Sequence, residues 1–345
     1  MKESVSKESR PSIGLNLYNG MEAREIERLS EKAEKEGFGS VWISEDPYLR
    51  DIVPLVSLMA KSTTNARIGT SILNIYTKHP VYLAMAAATL DEISNGRLTL
   101  GIGRGVRSLI ENELHIKYGS YHSYAEEYLI CLRKLLNGEE VTYEGKQIKI
   151  TRAKLRAFPK DHTIRTLLAA IGPKMLQLGG SLADGVILNS CSSVEHAKLA
   201  AGIVGTAWEK EDLRPEIAVC LTIAIDEDLS KAYKSARTSV AFILSIPGFG
   251  ETYSKINNLP NSLIEELRRA FRWDSNVGDP TWHLENADLS KVEELVTDKI
   301  VDMLAVCGSV EKCRSRISDY MRAGTTTAIL NPANSETLGK LPLLI

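Results

Sequence analysis

The sequence predicts an α/β protein with the (β/α)8, or TIM, barrel architecture. Apolar strand-like segments alternate with helical segments along most of the 345 residues, as expected for parallel strands joined by crossover helices. Eight such strands occur, and the connections to their helices are short. Polar residues follow the strands at their carboxyl ends, where barrels of this kind place functional groups. A doubly wound sheet is the alternative, but it rarely carries eight such units without a reversal of strand order.

The first half of the chain supplies four strands. In the first helix the apolar residues recur with helical period, and Gly37 suits its carboxyl end. Pro54 and Pro80 lie in the predicted first turns of the next two helices, a position that proline favours. The predicted strands are 13–18, 39–44, 66–73 and 97–103, and the predicted helices are 22–37, 51–63, 79–94 and 123–138.

The second half supplies four more strands and one interruption. A hairpin at 141–150 turns at Glu144-Gly145. Residues 226–308 contain helical stretches and a loop rich in Trp, Asp and Asn. We interpret them as a helical insertion between strand seven and the last helix of a single domain at 1–345, expected over the carboxyl face as a lid. The other predicted strands are 164–172, 184–190, 216–225 and 325–332, and the helices are 172–183, 193–210 and 309–324.

Composition excludes several classes of protein. The formal net charge is −2 with 42 basic residues scattered along the chain, which argues against nucleic acid as a partner. No apolar run reaches membrane-spanning length, and the polar start MKESVSKESRPS has no signal-like apolar segment. The five cysteines form no CxxC pair and the six histidines are dispersed. These features predict a cytoplasmic protein with reduced, buried cysteines and no metal site.

The second strand ends on two adjacent acids. Val41-Trp42-Ile43 is followed by Glu45, Asp46 and Pro47, and Trp42 is interpreted as a core residue. Neighbouring carboxylates repel each other at the barrel opening if water is partly excluded there, so the pKa of at least one of the two acids should be raised. A raised pKa lets a carboxylic acid donate a proton near neutral pH. The alternative is that Asp46 only caps the following loop.

The stretch GIGRGV at 101–106 is not a dinucleotide fingerprint. Val106 replaces the third glycine, and the stretch follows the fourth strand, not the first. Two interpretations remain. The loop brings its backbone close to a ligand, or it is a glycine-rich turn without a ligand.

Several longer blocks resemble the bacterial luciferase-like flavin and deazaflavin enzymes. The blocks are GFGSVWISED at 37–46, GTSILNIYTKHPVYLAMAAATLDEISNGRLTLGIGRG at 69–105, GPKMLQLGGSLADGVILNS at 172–190 and AVCGSVEKCRSRISDYMRAG at 305–324. The resemblance implies a barrel that binds FMN or coenzyme F420 at its carboxyl mouth. It also implies a homodimer, because members of the family are often dimeric.

The resemblance also implies roles for individual residues. A non-proline cis peptide that supports the cofactor ring falls on Ser71-Ile72, and Asn74 falls on a neighbouring ring contact. Glu45 matches an acid that hydrogen-bonds the ring or its side chain. Asp46 stands where many members have a histidine proton donor, and it becomes the candidate proton relay. Residues for the cofactor phosphate or side chain are Arg104 and Gly105, together with Gly172 and Pro173 at a helix N-terminus.

The substrate stays open at the sequence level. Sugar-phosphate dehydrogenases of the family have an acid and a lysine where this chain has Val106 and Ser192, and the reductase acting on methylene-tetrahydromethanopterin also has an acid at the position of Val106. ILNIYTKHP resembles the deazaflavin branch, whereas GIGRG resembles the luciferase subunit that binds FMN. The hypothesis is an F420-dependent oxidoreductase that transfers a hydride to or from a small organic substrate. An FMN-dependent monooxygenase and a cofactor-free binding barrel are the alternatives.

Overall fold

Twelve strands occur in the part of the chain that the structure, a computed structural model, describes: residues 12–159, 162–210, 213–275 and 277–345. The polar N-terminal tail therefore lies outside the described residues except for Ser12. The strands are β1 (Ser12–Tyr18), β2 (Ser40–Ser44), β3 (Arg67–Thr70), β4 (Leu73–Asn74), β5 (Leu98–Gly103), β6 (Val141–Glu144), β7 (Lys149–Ala153), β8 (Arg165–Ala169), β9 (Gly185–Leu188), β10 (Glu216–Ile225), β11 (Val306–Gly308) and β12 (Thr327–Pro332).

Eight parallel strands close into a barrel, which confirms the predicted fold class. The hydrogen-bonded order is β12, β1, β2, β3, β5, β8, β9 and β10, and β10 pairs back with β12. Each of the eight predicted strands is present. β6 and β7 form a separate antiparallel hairpin that extends the predicted one to Ala153.

The helices surround this barrel. They are α1 (Ala23–Lys35), α2 (Ile52–Ser62), α3 (Pro80–Ser94), α4 (Tyr121–Leu136), α5 (Pro173–Leu182), α6 (Val194–Ala207), α7 (Leu229–Ser245), α8 (Gly250–Asn257), α9 (Asn261–Ala270), α10 (Pro280–Glu285), α11 (Leu289–Leu295), α12 (Asp298–Leu304), α13 (Val310–Arg322) and α14 (Ser335–Lys340). A short π-helical turn spans Leu109–Glu113 and a 3-10 turn spans Leu341–Leu344.

Some details differ from the sequence-based expectation. The predicted strand 66–73 is interrupted at Ser71-Ile72 and continues as β4, which pairs with β5. Within the segment 226–308, predicted to contain helical stretches, residues 289–304 form two helices, because Thr297 takes an extended conformation as the N-cap of α12. β11 was not predicted, and it pairs in parallel with the end of β10.

Trp42 fills the interior of the barrel, as predicted. Its side chain is fully buried, and its indole Nε1 donates to Ser40 Oγ at 2.8 Å. Glycines on both neighbouring strands make room for the ring. A Cβ at Gly14 would lie 2.7 Å from the indole nitrogen, and a Cβ at Gly69 would lie 2.1 Å from a ring carbon. The bulk of one tryptophan therefore explains two strand glycines.

An ion-pair network closes the amino-terminal end of the barrel. Glu216 at the start of β10 accepts hydrogen bonds from Arg67 at 2.9 Å, Arg165 at 2.8 Å and Thr327 at 2.6 Å. Burial alone raises the pKa of a carboxyl group, but these charges and hydrogen bonds outweigh it and lower the pKa of Glu216 to about 2. The network links β3, β8, β10 and β12 at the end opposite the strand carboxyl termini.

The segment 226–308 packs around an apolar cluster of its own. The cluster includes Leu244, Tyr253, Leu267, Phe271 and Val296, all fully or almost fully buried. Phe249 and Thr252 of this segment line a cavity together with residues at the carboxyl ends of the strands, so the segment lies at that end of the barrel. The five cysteines are free and buried, as the sequence predicts.

Candidate active site

Two adjoining cavities open at the carboxyl ends of the barrel strands. The inner cavity, of about 310 Å³, is lined by residues that include Ala170, Gly172 and Thr252. The outer cavity, of about 450 Å³, holds the residues that follow β2 and β5. Both cavities share one wall, formed by Ser71, Ile72, Arg104, Asn189 and Phe249. The predicted site residues in the outer cavity are Glu45, Asp46, Ser71, Ile72, Asn74, Arg104 and Gly105.

The wall between β3 and β4 carries the predicted cis peptide. The bond between Ser71 and Ile72 is cis, as the resemblance implied. Ser71 Oγ donates to Asn16 Oδ1 at 2.7 Å, and Ser44 Oγ donates to the carbonyl oxygen of Ser71 at 3.1 Å. Asn16 Nδ2 also lies 3.4 Å from Asn331 Oδ1. Asn16, Ser44 and Asn331 were not predicted as site residues, although each is a polar residue near a strand carboxyl end.

Glu45 is held by two protein groups. Its Oε2 accepts the backbone N–H of Asn74 at 2.7 Å, and its other oxygen forms an ion pair with Lys78. Both side chains of this ion pair are more than four-fifths buried. Asn74 in turn accepts the backbone N–H of Tyr76 through Oδ1 at 2.9 Å. Glu45 therefore fixes β4 beside the cavity, and Lys78 is a member of the site that the sequence did not indicate.

Asp46 keeps its carboxyl group available. No described residue hydrogen-bonds its side chain, and its backbone oxygen accepts from Asn19 Nδ2 at 2.9 Å. Burial, followed by the charges of Glu45 and Asp279, raises the pKa of Asp46 to about 6. Asp51, and not Asp46, caps α2 by accepting the N–H of Val53 at 2.8 Å. The geometry thus disfavours the capping role and leaves a carboxyl group that titrates near neutral pH.

Arg104 stands at the junction of the two cavities. Its guanidinium lies 4.6 Å from the ring centre of Phe249 and 5.5 Å from that of Tyr121. Among the described residues no carboxylate forms an ion pair with it. Stacked on aromatic rings and without an acidic partner, Arg104 is suited to bind an anionic group of a ligand.

The structure explains each glycine of GIGRG by a different close contact. A Cβ at Gly101 would lie 2.0 Å from the backbone oxygen of Thr70, and one at Gly103 would lie 2.7 Å from Ala169 Cβ. These two glycines allow close packing of the strands. A Cβ at Gly105 would lie 2.4 Å from Asn74 Nδ2, so this glycine brings the loop next to the cavity wall. Packing therefore explains Gly101 and Gly103, and the approach of this loop to a ligand stays a prediction.

Gly172 and Pro173 begin α5 beside the inner cavity. Gly172 is the N-cap, and it has no side chain to bond the first amides of the helix. Pro173 occupies the first turn, where its fixed φ suits a helix start. A Cβ at Gly172 would meet only Thr252 at 3.8 Å, so packing does not require glycine here. The open helix N-terminus is a favourable place for an anion.

Two negative findings concern the described residues. None of their helices is long and apolar enough to cross a membrane. No group of three or more His, Cys, Asp or Glu among them could hold a metal ion.

Comparison with known proteins gives consistent matches across the chain. The chain is 28% identical over 323 residues to a 5,10-methylenetetrahydromethanopterin reductase from Methanolobus tindarius, covering 92% of this chain and 93% of the relative. The structure matches the coenzyme F420 dependent tetrahydromethanopterin reductase from Methanopyrus kandleri with a TM-score of 0.79, 23% identity and 97% coverage of both chains. It matches an F420-dependent secondary alcohol dehydrogenase in complex with an F420-acetone adduct with a TM-score of 0.75, 18% identity and 97% coverage of both chains.

The family model described as luciferase-like monooxygenase matches residues 5–327. This range contains all eight barrel strands except the last five residues of β12, and all the cavity-lining residues described above except Asn331. The chain therefore belongs to the luciferase-like monooxygenase family.

Proposed function

We propose that the protein is a coenzyme F420-dependent oxidoreductase that transfers a hydride between the deazaflavin and a small organic substrate. The names of the similar reductases and of the alcohol dehydrogenase support this choice of cofactor. The observation that carries the proposal is the pair of adjoining cavities with Arg104 at their junction and Asp46 in the outer one. Arg104 and the N-terminus of α5 make the inner cavity suitable for an anionic cofactor. The outer cavity contains Asp46, which can donate or accept a proton.

The residues present fit such a cofactor. Arg104 has no acidic partner among the described residues, and the N-terminus of α5 at Gly172-Pro173 is uncapped by a side chain. Together they would hold the phosphate or side chain, with Gly105 allowing close approach. Ser71, Ile72 and Asn74 would support the ring. When bound, the deazaflavin supplies two-electron hydride chemistry.

The protein would supply the proton and the environment. Asp46 would exchange a proton with the substrate, as the candidate relay in place of histidine. Glu45 lines the outer cavity, and we assign it a cofactor contact as well as its hold on Asn74. Phe242, Ile246 and Phe249 of the insertion cover the cavity with apolar groups. We propose that 226–308 is a lid within a single domain that excludes water from the reaction.

An FMN-dependent monooxygenase is the second candidate. The family description favours it, because the matched model is that of luciferase-like monooxygenases. Arg104 would then bind the FMN phosphate. A cofactor-free binding barrel is the third candidate, and the same experiment addresses all three.

The test is a titration of F420 and of FMN into the purified protein, followed by absorbance and fluorescence. We expect saturable binding of F420, and we expect Arg104→Ala to weaken it about tenfold or more because a charge-assisted contact is lost. Arg107→Ala is the matched control, since Arg107 is exposed and pairs with Glu111 at 2.7 Å. Tight binding of FMN alone would support the monooxygenase, and binding of neither cofactor would support the cofactor-free barrel.

Further proposals concern the substrate, the assembly and the location. We do not propose the methylene-tetrahydromethanopterin substrate of the similar reductases, because Val106 stands where the resemblance places an acid.

We infer a homodimer through α3, where Tyr82 and Met85 are 71% and 50% exposed. The free state of all five cysteines supports a cytoplasmic location.

A further inference from the structure

Three chain segments meet over the outer cavity at a single carboxylate. Tyr48, in the loop after β2, donates its hydroxyl to Glu113 Oε2 at 2.5 Å. The backbone N–H of Gly278, in the insertion, donates to the other oxygen of Glu113. Glu113 itself ends the π-helical turn after β5. Both oxygens of one side chain therefore join the loop after β2 to residues 277–285 of the insertion, which we call the strap.

The strap rests directly on the backbone of the π-helical turn. A Cβ at Gly278 would lie 2.5 Å from Leu109 Cα and 2.6 Å from the nitrogen of Leu109. Only a residue without a side chain allows this approach. The strap and the π-helical turn are thus in direct backbone contact, and this contact does not involve flexible side chains.

A buried histidine of the strap contacts both the strap itself and the chain before it. His283 is fully buried, and its ring nitrogens lie 2.7 Å from the oxygen of Phe271 and 2.8 Å from the oxygen of Val277. The ring of Trp273 stacks on it at 3.8 Å between centroids. His283 therefore anchors the strap to the end of α9, and the hydrogen bond at Gly278 attaches the beginning of the strap to the π-helical turn.

The same attachment also holds one residue of the loop after β2. Tyr48 has a φ of 62°, a left-handed conformation that is uncommon for a tyrosine. The residue is 62% exposed, so packing contributes little to holding it. The hydrogen bond to Glu113 is the contact that fixes this residue, two positions after Asp46.

The attached strap brings two residues to the mouth. Pro280 lines the outer cavity together with Asp46. The charge of Asp279 acts on Asp46 and also on Tyr18. Glu45 faces Asp46 from its own strand end. The surroundings of Asp46 thus come from β1, from the end of β2 and from the strap.

We propose that Glu113 is a positioning residue that fastens the strap and the loop after β2 over the outer cavity, and so sets the environment of Asp46. The role of Asp46 rests on the proposed function, but the fastening does not. Glu113 touches neither Asp46 nor the inner cavity, and it acts only through the segments that it joins.

The first measurement follows amide hydrogen exchange by mass spectrometry in the protein without cofactor. Glu113→Ala should speed exchange of peptides covering 277–285 about tenfold, because a hydrogen bond to a charged group is removed. Glu111→Ala is the matched control, since Glu111 lies on the same turn and forms an ion pair with Arg107. Unchanged protection of the strap in Glu113→Ala would overturn the proposal.

The second measurement is the titration of Asp46, followed by carbon NMR of the carboxyl group and assigned with Asp46→Asn. In Glu113→Ala the pKa of Asp46 should fall from about 6 toward the usual range of an aspartate. Water would reach the carboxyl group, and Asp279 would move away from it, so both the effect of burial and the repulsion by Asp279 would weaken. An unchanged midpoint with a freely exchanging strap would overturn the positioning role. Gly278→Ala gives an independent check, since its Cβ should displace the strap while Glu113 stays. Neither the hydrogen exchange nor the titration of Asp46 requires a cofactor. Both measurements can therefore be interpreted even if F420 does not bind.

Discussion

Asp46 is a carboxyl group whose protonation changes in the range where the enzyme would work. Its pKa is raised to about 6, so the protonated form is populated below this value and lost above it. If Asp46 donates the proton during substrate reduction, kcat/KM should fall as pH rises through about 6. Asp46→Asn should remove this limb of the profile. A profile with the same limb in Asp46→Asn, at unchanged cofactor affinity, would contradict the relay role.

The sequence predicted part of this residue-scale chemistry. Adjacent acids at a strand end suggested a raised pKa, and the direction is confirmed for Asp46. The principal cause is burial, and a further contribution comes from Asp279, far away in the sequence. Lys78 and Glu113 were not identified, because no local pattern marks a side chain whose partners lie in other loops. Their roles depend on long-range packing, which a single sequence does not display.

At the scale of elements, β5 carries a glycine that strand pairing requires. A Cβ at Gly101 would lie 2.0 Å from the backbone oxygen of Thr70, so neither strand could keep its position. We expect Gly101→Ala to lower the free energy of unfolding by about 3 kcal/mol or more. Chemical denaturation at neutral pH measures this quantity.

Gly202 in α6 is the matched control for this prediction. Nothing lies within 4 Å of the position of its Cβ, and it sits inside a regular helix. Gly202→Ala should therefore stabilise the protein by up to about 1 kcal/mol, because alanine favours helices. Equal effects of the two substitutions would contradict the packing argument.

Strands and helices were predictable where the apolar pattern is long and regular. All eight barrel strands, and most helices, lie where the sequence placed them within a few residues. The insertion was predicted less completely, since α8, α10 and β11 are short and lack a clear period. Their positions are decided by packing against neighbouring helices and by the end of β10.

For the whole molecule, the assembly state is the main open prediction. Tyr82 and Met85 project from α3 into solvent, where large apolar side chains are costly to leave uncovered. We expect the wild type to sediment as a dimer and the double variant Tyr82→Glu, Met85→Glu to sediment as a monomer. Leu229→Glu, on a different helix with 40% exposure, should leave the dimer intact. A monomeric wild type at micromolar concentration would rule out this assembly.

The ion-pair network at the amino-terminal end has a consequence for how the chain is made. Its four members come from positions 67, 165, 216 and 327, so the last partner of Glu216 belongs to the final barrel strand. While the ribosome is still synthesising the segment before Thr327, Glu216 lacks this partner and β10 lacks its neighbour β12. The barrel therefore cannot close until β12 has been synthesised, and until then it has a seam, that is, an open edge, between β10 and β1. We therefore expect the yield of folded protein to depend on protection of this seam during translation, by a chaperone or by the ribosome surface.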